Sequence, residues 1–155
     1  MAAYMVRRAG VRDVQAIARI EAACFSAPWS EALILAGLQK ETDLFYIAAC
    51  GGEIAGYIGL NRVLDESYLY NLAVLPQFRR RGVGEALLRH ACAEMFRTGA
   101  AFVSLEVRRS NCAAIALYEK LGFRRAGERK DFYSSPTEDA VIMTRFRAEK
   151  EEHTP

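Results

Sequence analysis

The sequence predicts a mixed α/β fold with one central, mostly antiparallel sheet flanked by about four helices. Strand-like runs in the middle of the chain are joined by a glycine pair typical of a hairpin. The second half then alternates strand-like and helix-like segments, which favours a sheet covered by helices. At 155 residues the chain fits one domain, so we assign residues 1–147 to that domain and 148–155 to a solvated tail.

The first half predicts two helices ahead of the strands. Apolar residues recur with helical spacing over 11–24, and Asp13 favours a helix N-terminus there. After Pro28, Ser30 is placed to cap a second helix. We therefore expect helices to come first and the strands to follow.

The strands begin with the segment LFYIAACGGEIAGYIGLNRV. Its Gly51-Gly52 pair tolerates the positive φ angles of a tight hairpin turn. Another strand is expected from Tyr68 to Val74, and Pro76 ends it because proline cannot donate to a sheet ladder. Helices should then follow near Val83 and after Ser110 or Asn111, separated by the strand AFVSLEV and followed by the strand DAVIMTRF.

Composition excludes several classes of function. Lys and Arg number 21 against 19 acidic residues, a net charge too small for a nucleic-acid binding surface over the whole molecule. No apolar run approaches the ~20 residues of a membrane span, and no signal-peptide pattern precedes the domain. We expect a cytoplasmic monomer with no metal site. The four isolated cysteines are expected to be buried, reduced thiols: Cys24, Cys50, Cys92 and Cys112.

The segment from Arg79 to Gly84 reads RRRGVG and lies between a strand end and a helix start. Backbone N–H groups, the helix dipole and guanidinium groups would converge there on an anion. A solvent-facing basic turn is an equally open interpretation of these six residues alone. The spacing matches neither a Walker A loop nor a dinucleotide-binding glycine motif, which disfavours nucleoside triphosphates and dinucleotides.

These motifs resemble those of the GNAT superfamily of acetyl-CoA dependent N-acetyltransferases. The turn follows the pattern [QR]-x-x-G-x-[GA], with YNLAVLP before it and LEVRRSN and ALYEKLGF after it. Together with APWSE, VLDE and EDAVIM, they resemble the bacterial RimI-type ribosomal-protein alanine N-acetyltransferases. The resemblance implies a GNAT fold with two parallel strands splayed at an acetyl-CoA site. It also implies the following cofactor-binding residues: Leu72, Ala73, Val74, Arg79, Arg80, Arg81, Gly82, Val83, Gly84, Glu85 and Asn111.

Glu106 interrupts an apolar strand, and alternation places it on the same face as Phe102 and Ser104. From the residues alone it is equally expected to pair with an arginine such as Arg108 or Arg62. The resemblance implies instead that Glu106 is the general base of acetyl transfer.

The resemblance also implies that Tyr118 is the general acid, where packing on the sheet would be the ordinary role of a helical tyrosine. A backbone N–H near Val74, at a splay or bulge of its strand, would bind the oxyanion.

The resemblance implies direct transfer, in a ternary complex, to the N-terminal alanine of the eighteenth small-subunit ribosomal protein. Residues that could bind the peptide are Trp29, Asp65, Glu66, Tyr133 and Glu138, although packing or loop solvation would explain each of them. Two alternatives stay open: a broader peptide or small-amine acetyltransferase, and a ribosome or RNA binding module that uses the arginines of the basic turn.

Overall fold

The structure is a computed structural model that describes residues 4–148. Its strands are β1 (Met5–Arg8), β2 (Asp43–Cys50), β3 (Glu53–Val63), β4 (Glu66–Val74), β5 (Phe102–Arg108), β6 (Arg124–Tyr133) and β7 (Glu138–Phe146). Its helices are α1 (Val14–Cys24), α2 (Glu31–Leu38), α3 (Val83–Arg97) and α4 (Cys112–Lys120), with short 3-10 turns at Val11–Asp13 and Pro76–Phe78. The strands form one sheet in the order β1-β2-β3-β4-β5-β7-β6. Within the described residues only β4 and β5 run parallel, so the predicted mixed α/β fold is confirmed.

Two strands were missed by the sequence analysis, and both lie at an edge of the sheet. β1 precedes every helix and pairs with β2, so the expectation that helices come first is wrong. β6 pairs with β7 although every one of its residues except Tyr133 is exposed. Neither strand buries an alternating apolar face, and backbone pairing with a neighbour holds each in place.

The local signals for turns and helix ends are confirmed. Gly51 and Gly52 join β2 to β3 with φ angles of 59° and 87°, values that glycine adopts without steric cost. Ser30 caps α2, because its hydroxyl accepts a hydrogen bond of 3.2 Å from the N–H of Leu33.

The sheet buries a different apolar cluster on each face. On one face, α1 and α2 cover β2, β3 and β4, and we call this the α1/α2 face. Its buried core is Ala9, Ile17, Ile20, Ile34, Phe45, Ile47, Tyr57 and Ala73. The opposite, α3/α4 face holds the larger core, which includes Leu60, Leu69, Leu87, Met95, Leu105, Ile115, Tyr118 and Phe123.

The cysteines depart in part from expectation. All four are free thiols, but only Cys92 is buried and Cys112 is exposed, so burial was wrongly predicted for most of them. Cys112 begins α4 at the surface, where its side chain does not have to pack in the core.

No helix within residues 4–148 is both long and apolar enough to cross a membrane. Most of the proposed tail, 149–155, lies outside the described residues.

Candidate active site

The parallel strands β4 and β5 separate partway along their length. Their ladder runs from Glu66 opposite Phe102 to Tyr68 opposite Ser104, and no pairing continues beyond that point. The remainder of β4, up to Val74, pairs only with β3. The sheet therefore opens into a wedge between the carboxyl ends of β4 and β5, as the resemblance implied.

A cleft of about 510 Å³ lies at the open end of this wedge. Its lining comes from the end of β4, the basic turn, the start of α3 and one side of α4. Nine of the eleven residues expected to bind the cofactor line it: Leu72, Ala73, Val74, Arg79, Arg80, Gly82, Val83, Gly84 and Glu85. Cys24, Phe25, Phe78, Ala113, Ala114 and Leu117 complete the wall. Apart from the basic turn, this wall is mostly apolar.

The first turn of α3 directs unpaired backbone N–H groups into the cleft. Ala86 is the first residue of α3 whose N–H finds a helical partner, the carbonyl of Gly82 at 3.0 Å. The N–H groups of Val83, Gly84 and Glu85 therefore remain for a ligand. Gly82 precedes them with a φ of 82°, a left-handed conformation that favours glycine.

The three arginines of the turn have different surroundings. Arg79 donates through Nε to the carbonyl of Val74 at 3.0 Å, which ties the turn to the end of β4. Arg80 lines the cleft and has a φ of 64°, so its backbone also turns left-handed. Arg81 lies outside the cleft lining, with its guanidinium 5.9 Å from the ring centre of Phe78.

Glu85 contributes its backbone rather than a free carboxylate. Its carboxylate oxygens accept from Lys120 at 2.8 Å and from Arg89 at 2.9 Å. The hydrogen bond from Lys120, followed by that from Arg89, lowers the pKa of Glu85 below its usual range. The two cations offset a negative charge that would otherwise repel an anion at the helix N-terminus.

Glu106 lies on β5 beside the wedge, with its side chain 31% exposed. It alternates with the buried residues Leu105 and Val107 and therefore lies on the α1/α2 face. Its carboxylate is paired with the guanidinium of Arg129 on β6. Glu106 thus forms an ion pair, but its partner is an arginine that the sequence did not indicate. The expected partner Arg108 pairs with Glu138 instead.

The other expected partner, Arg62, donates to the carbonyl of Leu64 at 3.0 Å and also to Thr98. Neither arginine named from the sequence therefore pairs with Glu106. The actual partner could not be named, because the strand that carries it was not predicted.

Tyr118 belongs to the opposite side of the sheet. It is part of the buried cluster on the α3/α4 face, with its ring centre 5.7 Å from that of Phe123. Burial, and to a smaller extent Tyr133, raises the pKa of Tyr118 to about 12. None of the hydrogen bonds within residues 4–148 uses its hydroxyl. Glu106 and Tyr118 thus lie on opposite faces of the sheet, and neither lines the cleft.

The end of β4 presents a free backbone donor to the wedge. Gly56 lies opposite Val74, and the N–H of Leu75 donates to the carbonyl of Ala55 at 2.8 Å. In an antiparallel ladder this makes Gly56 and Val74 a pair that is not hydrogen-bonded, so the N–H of Val74 points away from β3. The bulge in β4 lies at Tyr70 rather than near Val74.

The expected peptide-binding residues are not all brought to the wedge. Trp29 packs on Tyr70 with ring centres 5.3 Å apart and lines a cavity of about 240 Å³ next to the cleft. Tyr133 is half-buried under the guanidinium of Arg108, and burial followed by the charge of Glu106 raises the pKa of Tyr133. Trp29 therefore lines a space beside the cleft, whereas Tyr133 lines neither that cavity nor the cleft.

The acidic residues are less available. Glu66 begins β4, about 26 Å from Val74 along an extended strand, and Asp65 precedes it. Glu138 is occupied by the N–H of Ser110 at 2.6 Å and by Arg108 at 3.1 Å. The hydrogen bonds from Ser110, with the Arg108 charge, lower the pKa of Glu138. The structure gives none of these carboxylates an open position beside the cleft.

Asn111 caps α4, because its side-chain oxygen accepts from the N–H of Ala114 at 3.2 Å. It is not among the residues that line the cleft, so its contact with a cofactor stays a prediction. The side of α4 that reaches the cleft consists of Ala113, Ala114 and Leu117. Within residues 4–148, no group of three metal-ligating side chains has a suitable arrangement for an ion.

The sequence analysis missed a buried polar cluster on the α1/α2 face. Glu21 on α1 is only 1% exposed and accepts from Tyr57 on β3, from Asn71 on β4 and from the N–H of Trp29. Burial, followed by the hydrogen bond to Glu21, raises the pKa of Tyr57 well above its usual value. The available signal was a glutamate four residues after Ile17, on the buried stripe of α1.

Comparison with known proteins places these features in a family. The profile of a family described as "Acetyltransferase (GNAT) family" matches residues 14–123. The [ribosomal protein bS18]-alanine N-acetyltransferase of Escherichia coli K12 is 43% identical over 133 residues, which cover 84% of this chain and 89% of that protein. An N-alpha-acetyltransferase of Sulfurisphaera tokodaii is 32% identical and covers 90% of this chain and 91% of its own length.

A solved structure supports the same relationship. The crystal structure of the ribosomal-protein-S18-alanine N-acetyltransferase from Escherichia coli superposes with a TM-score of 0.87 and 36% identity. The match covers 98% of this chain and 100% of that one. The aligned part of this chain therefore spans the wedge, the basic turn and the edge strands.

Proposed function

Because the chain belongs to the GNAT family of acetyltransferases, we propose that it transfers the acetyl group of acetyl-CoA to the N-terminal α-amine of a protein. The preferred acceptor is the N-terminal alanine of ribosomal protein bS18, on which the relative from Escherichia coli acts according to its name. The observation that carries the proposal is the wedge between β4 and β5, with a cleft at its open end that is lined by the basic turn and the first turn of α3.

The cleft suits the chemistry of acetyl-CoA. Phosphate groups fit the free N–H groups of Val83, Gly84 and Glu85 and the guanidinium of Arg80. A pantetheine arm fits the apolar wall formed by β4 and α4. A Cβ at Gly84 would make ordinary van der Waals contact with Leu117 and Val74, at 3.8 Å from each, so a larger residue there would fill part of the cleft that this glycine lines.

Glu106 is the base of the proposed reaction. An α-amine, with a pKa of ~7.7–8.0, must lose a proton before its nitrogen attacks the thioester carbon. A lysine side chain, at ~10.4, would demand about 2.5 further pKa units, or roughly 3 kcal/mol, from the same base. A single carboxylate that is 31% exposed therefore suits an N-terminal amine better than a lysine. The proton passes to Glu106, directly or through water, as the C–N bond forms.

Tyr118 and Val74 serve the leaving group and the developing charge. The N–H of Val74 faces the wedge and can donate to the oxygen that becomes negative when the amine adds. Breaking of the C–S bond leaves a thiolate, and the hydroxyl of Tyr118 supplies its proton. Burial keeps this phenol protonated, with a pKa raised to about 12, and also makes it a weaker acid. Its hydrogen bond to the departing sulfur therefore stabilises the developing thiolate, in addition to the transfer of the proton.

The test is acetylation of a peptide that begins Ala-Arg, with acetyl-CoA as donor, followed by mass spectrometry. The expected result is one acetyl group on the α-amine, formed faster than on a Met-initiated peptide or a polyamine. Equal rates on all three would replace the bS18 assignment by a broader amine acetyltransferase. Salt-sensitive RNA binding without any transfer would favour the non-enzymatic alternative.

A further inference from the structure

The buried cluster around Glu21 fixes the orientation of a side chain at the wedge. Asn71 donates through Nδ2 to Glu21 Oε2 at 2.9 Å and to the hydroxyl oxygen of Tyr57 at 2.8 Å. The hydroxyl of Tyr57 donates in turn to the same carboxylate oxygen. The other oxygen, Oε1, accepts from the N–H of Trp29 at 2.9 Å. Each carboxylate oxygen of Glu21 therefore has a donor.

This arrangement allows only one orientation of the Asn71 amide. A carboxylate can only accept hydrogen bonds, so Asn71 must turn its NH2 group towards Glu21. Both N–H donors are then used inside the protein. The carbonyl oxygen Oδ1 is left on the other side, and no hydrogen bond within residues 4–148 uses it. An acceptor with a fixed direction thus remains for a ligand.

Asn71 lies in a cavity that adjoins the large cleft. It lines the cavity of about 240 Å³ between Glu21, Trp29 and Phe25. Phe25 also lines the large cleft, so the two spaces adjoin. Asn71 and Glu106 are on the same face of the sheet, one on each side of the gap between β4 and β5.

We propose that Asn71 binds the N-terminal amine of the acceptor through Oδ1, and that Glu21 is the positioning residue that keeps this oxygen turned towards the substrate. The inference rests on the proposed function and gives the acceptor amine a second contact, in addition to the proposed base Glu106. After one proton has passed to Glu106, the amine retains two N–H groups and one lone pair. A hydrogen bond from one N–H to Asn71 limits its rotation and directs the lone pair at the thioester.

The test measures binding of a peptide beginning Ala-Arg to the full chain saturated with coenzyme A, by isothermal titration calorimetry. Asn71→Leu removes the acceptor but leaves both oxygens of Glu21 hydrogen-bonded, by Tyr57 and by Trp29. The expected result is a peptide Kd raised about tenfold, the loss of one hydrogen bond to an amine. The affinity for coenzyme A should be unchanged.

Asn61→Leu is the matched control. Asn61 lies on the neighbouring strand β3, and its Nδ2 also donates to a carboxylate, that of Asp43 at 2.8 Å. It lines neither the cleft nor the cavity beside Asn71. The control should lose comparable thermal stability without weakening peptide binding. Equal peptide affinity in Asn71→Leu and the wild type would overturn the inference, whatever the transfer assay shows.

Glu21→Gln tests the positioning role with almost no change of shape. The new amide can donate to Oδ1 of Asn71, which permits the Asn71 side chain to turn over. We expect a weaker peptide Kd, by several-fold, with the coenzyme A Kd retained. A structural role alone would lower the melting temperature and leave the ratio of the two Kd values as in the wild type. If the wild-type chain binds no such peptide, both this inference and the bS18 assignment are wrong. If the wild type binds the peptide and both variants bind it equally well, only the inference is wrong.

Discussion

Glu106→Gln separates the catalytic interpretation of Glu106 from the ion-pair interpretation. The change keeps the shape of the side chain but removes both the base and the charge that pairs with Arg129. The side chains of Glu106 and Arg129 are 31% and 57% exposed, and ion pairs of this kind contribute about 0–1 kcal/mol. For a chain of 155 residues such a loss lowers the melting temperature by at most about 4 °C. Unfolding would therefore not explain a large loss of activity at 25 °C.

The magnitude follows from the ionisation of the acceptor. With an α-amine pKa of ~7.7–8.0, only about 9–17% of the amine is neutral at pH 7 and about 1–2% at pH 6, against more than 90% at pH 9. A variant without a base depends on this neutral fraction. We expect a loss of about 10²-fold in kcat at pH 7, growing by almost tenfold at pH 6 and narrowing above pH 8. The coenzyme A Kd should stay within about twofold, because Glu106 does not line the cleft.

The assay is the rate of acetylation of the Ala-Arg peptide from pH 6 to pH 9, with Arg129→Gln as control. Arg129→Gln breaks the same ion pair but keeps the carboxylate. It should show the same small change in melting temperature without a deficit that grows at low pH. If the two variants gave the same pH–rate profile, Glu106 would be an ion-pair residue and the reasoning would be refuted.

Three further predictions concern the rest of the site. Tyr118→Phe should lower kcat by at least tenfold with little change in the melting temperature, since the packing on Phe123 is kept; an unchanged kcat would contradict the acid role. Gly84→Ala should raise the free energy of unfolding by roughly 0.5–1 kcal/mol, because alanine favours a helix. It should also raise the coenzyme A Kd, because the added methyl group intrudes on the cleft. Calorimetry of unfolding and of coenzyme A binding should therefore show a more stable variant that binds coenzyme A less tightly. Arg80→Gln should weaken coenzyme A binding about tenfold in low salt and less in 0.5 M salt, and a salt-independent effect would argue against a phosphate contact.

Stability in alkali provides a check that does not depend on activity. Burial raises the pKa of Tyr118 to about 12 and also raises those of Tyr57 and Tyr70. Their stabilising contribution is complete below pH ~10, the pKa of an unfolded tyrosine, and is lost as the pH rises through the folded values. The free energy of unfolding in urea should therefore stay level up to about pH 10 and fall between about pH 10 and pH 12. A constant value would show that these phenols ionise as readily in the folded chain.

The sequence was sufficient for features that depend on local chemistry. The hairpin at Gly51-Gly52, the cap at Ser30 and the helix start after Gly82 each follow from one or two residues and their backbone preferences. The edge strands β1 and β6 were not predictable in this way, because their pairing partners rather than an apolar pattern hold them.

Because β6 was not predicted, the ion-pair partner of Glu106 could not be predicted either. Arg129, the actual partner of Glu106, lies on that strand, and nothing in the local pattern around Glu106 points to it. The Glu21 cluster was missed for a similar reason, since α1, β3 and β4 must first be assembled before its hydrogen bonds exist. Contacts that join three elements distant in sequence leave little trace in any one of them.

The bulge at Tyr70 explains how one strand serves both faces of the site. Strict alternation along β4 would place Leu69 and Asn71 on the same face. Leu69 instead packs in the α3/α4 core, whereas Asn71 bonds to Glu21 on the α1/α2 face. The extra residue shifts the side-chain phase of β4, so that Leu72, rather than Asn71, packs against the α3/α4 core together with Leu69.

The bulge comes two residues after the last pair of the parallel ladder, Tyr68 opposite Ser104. The sheet thus opens at nearly the same point at which β4 changes phase. Above this point, the side chain of Asn71 lies on the face that carries Glu106, while the backbone N–H of Val74 points into the gap. A single irregularity in β4 therefore places the carbonyl proposed to bind the amine and the N–H proposed to bind the oxyanion on the same short segment, three residues apart. Their relative position is set by the strand itself, and neither depends on a mobile loop.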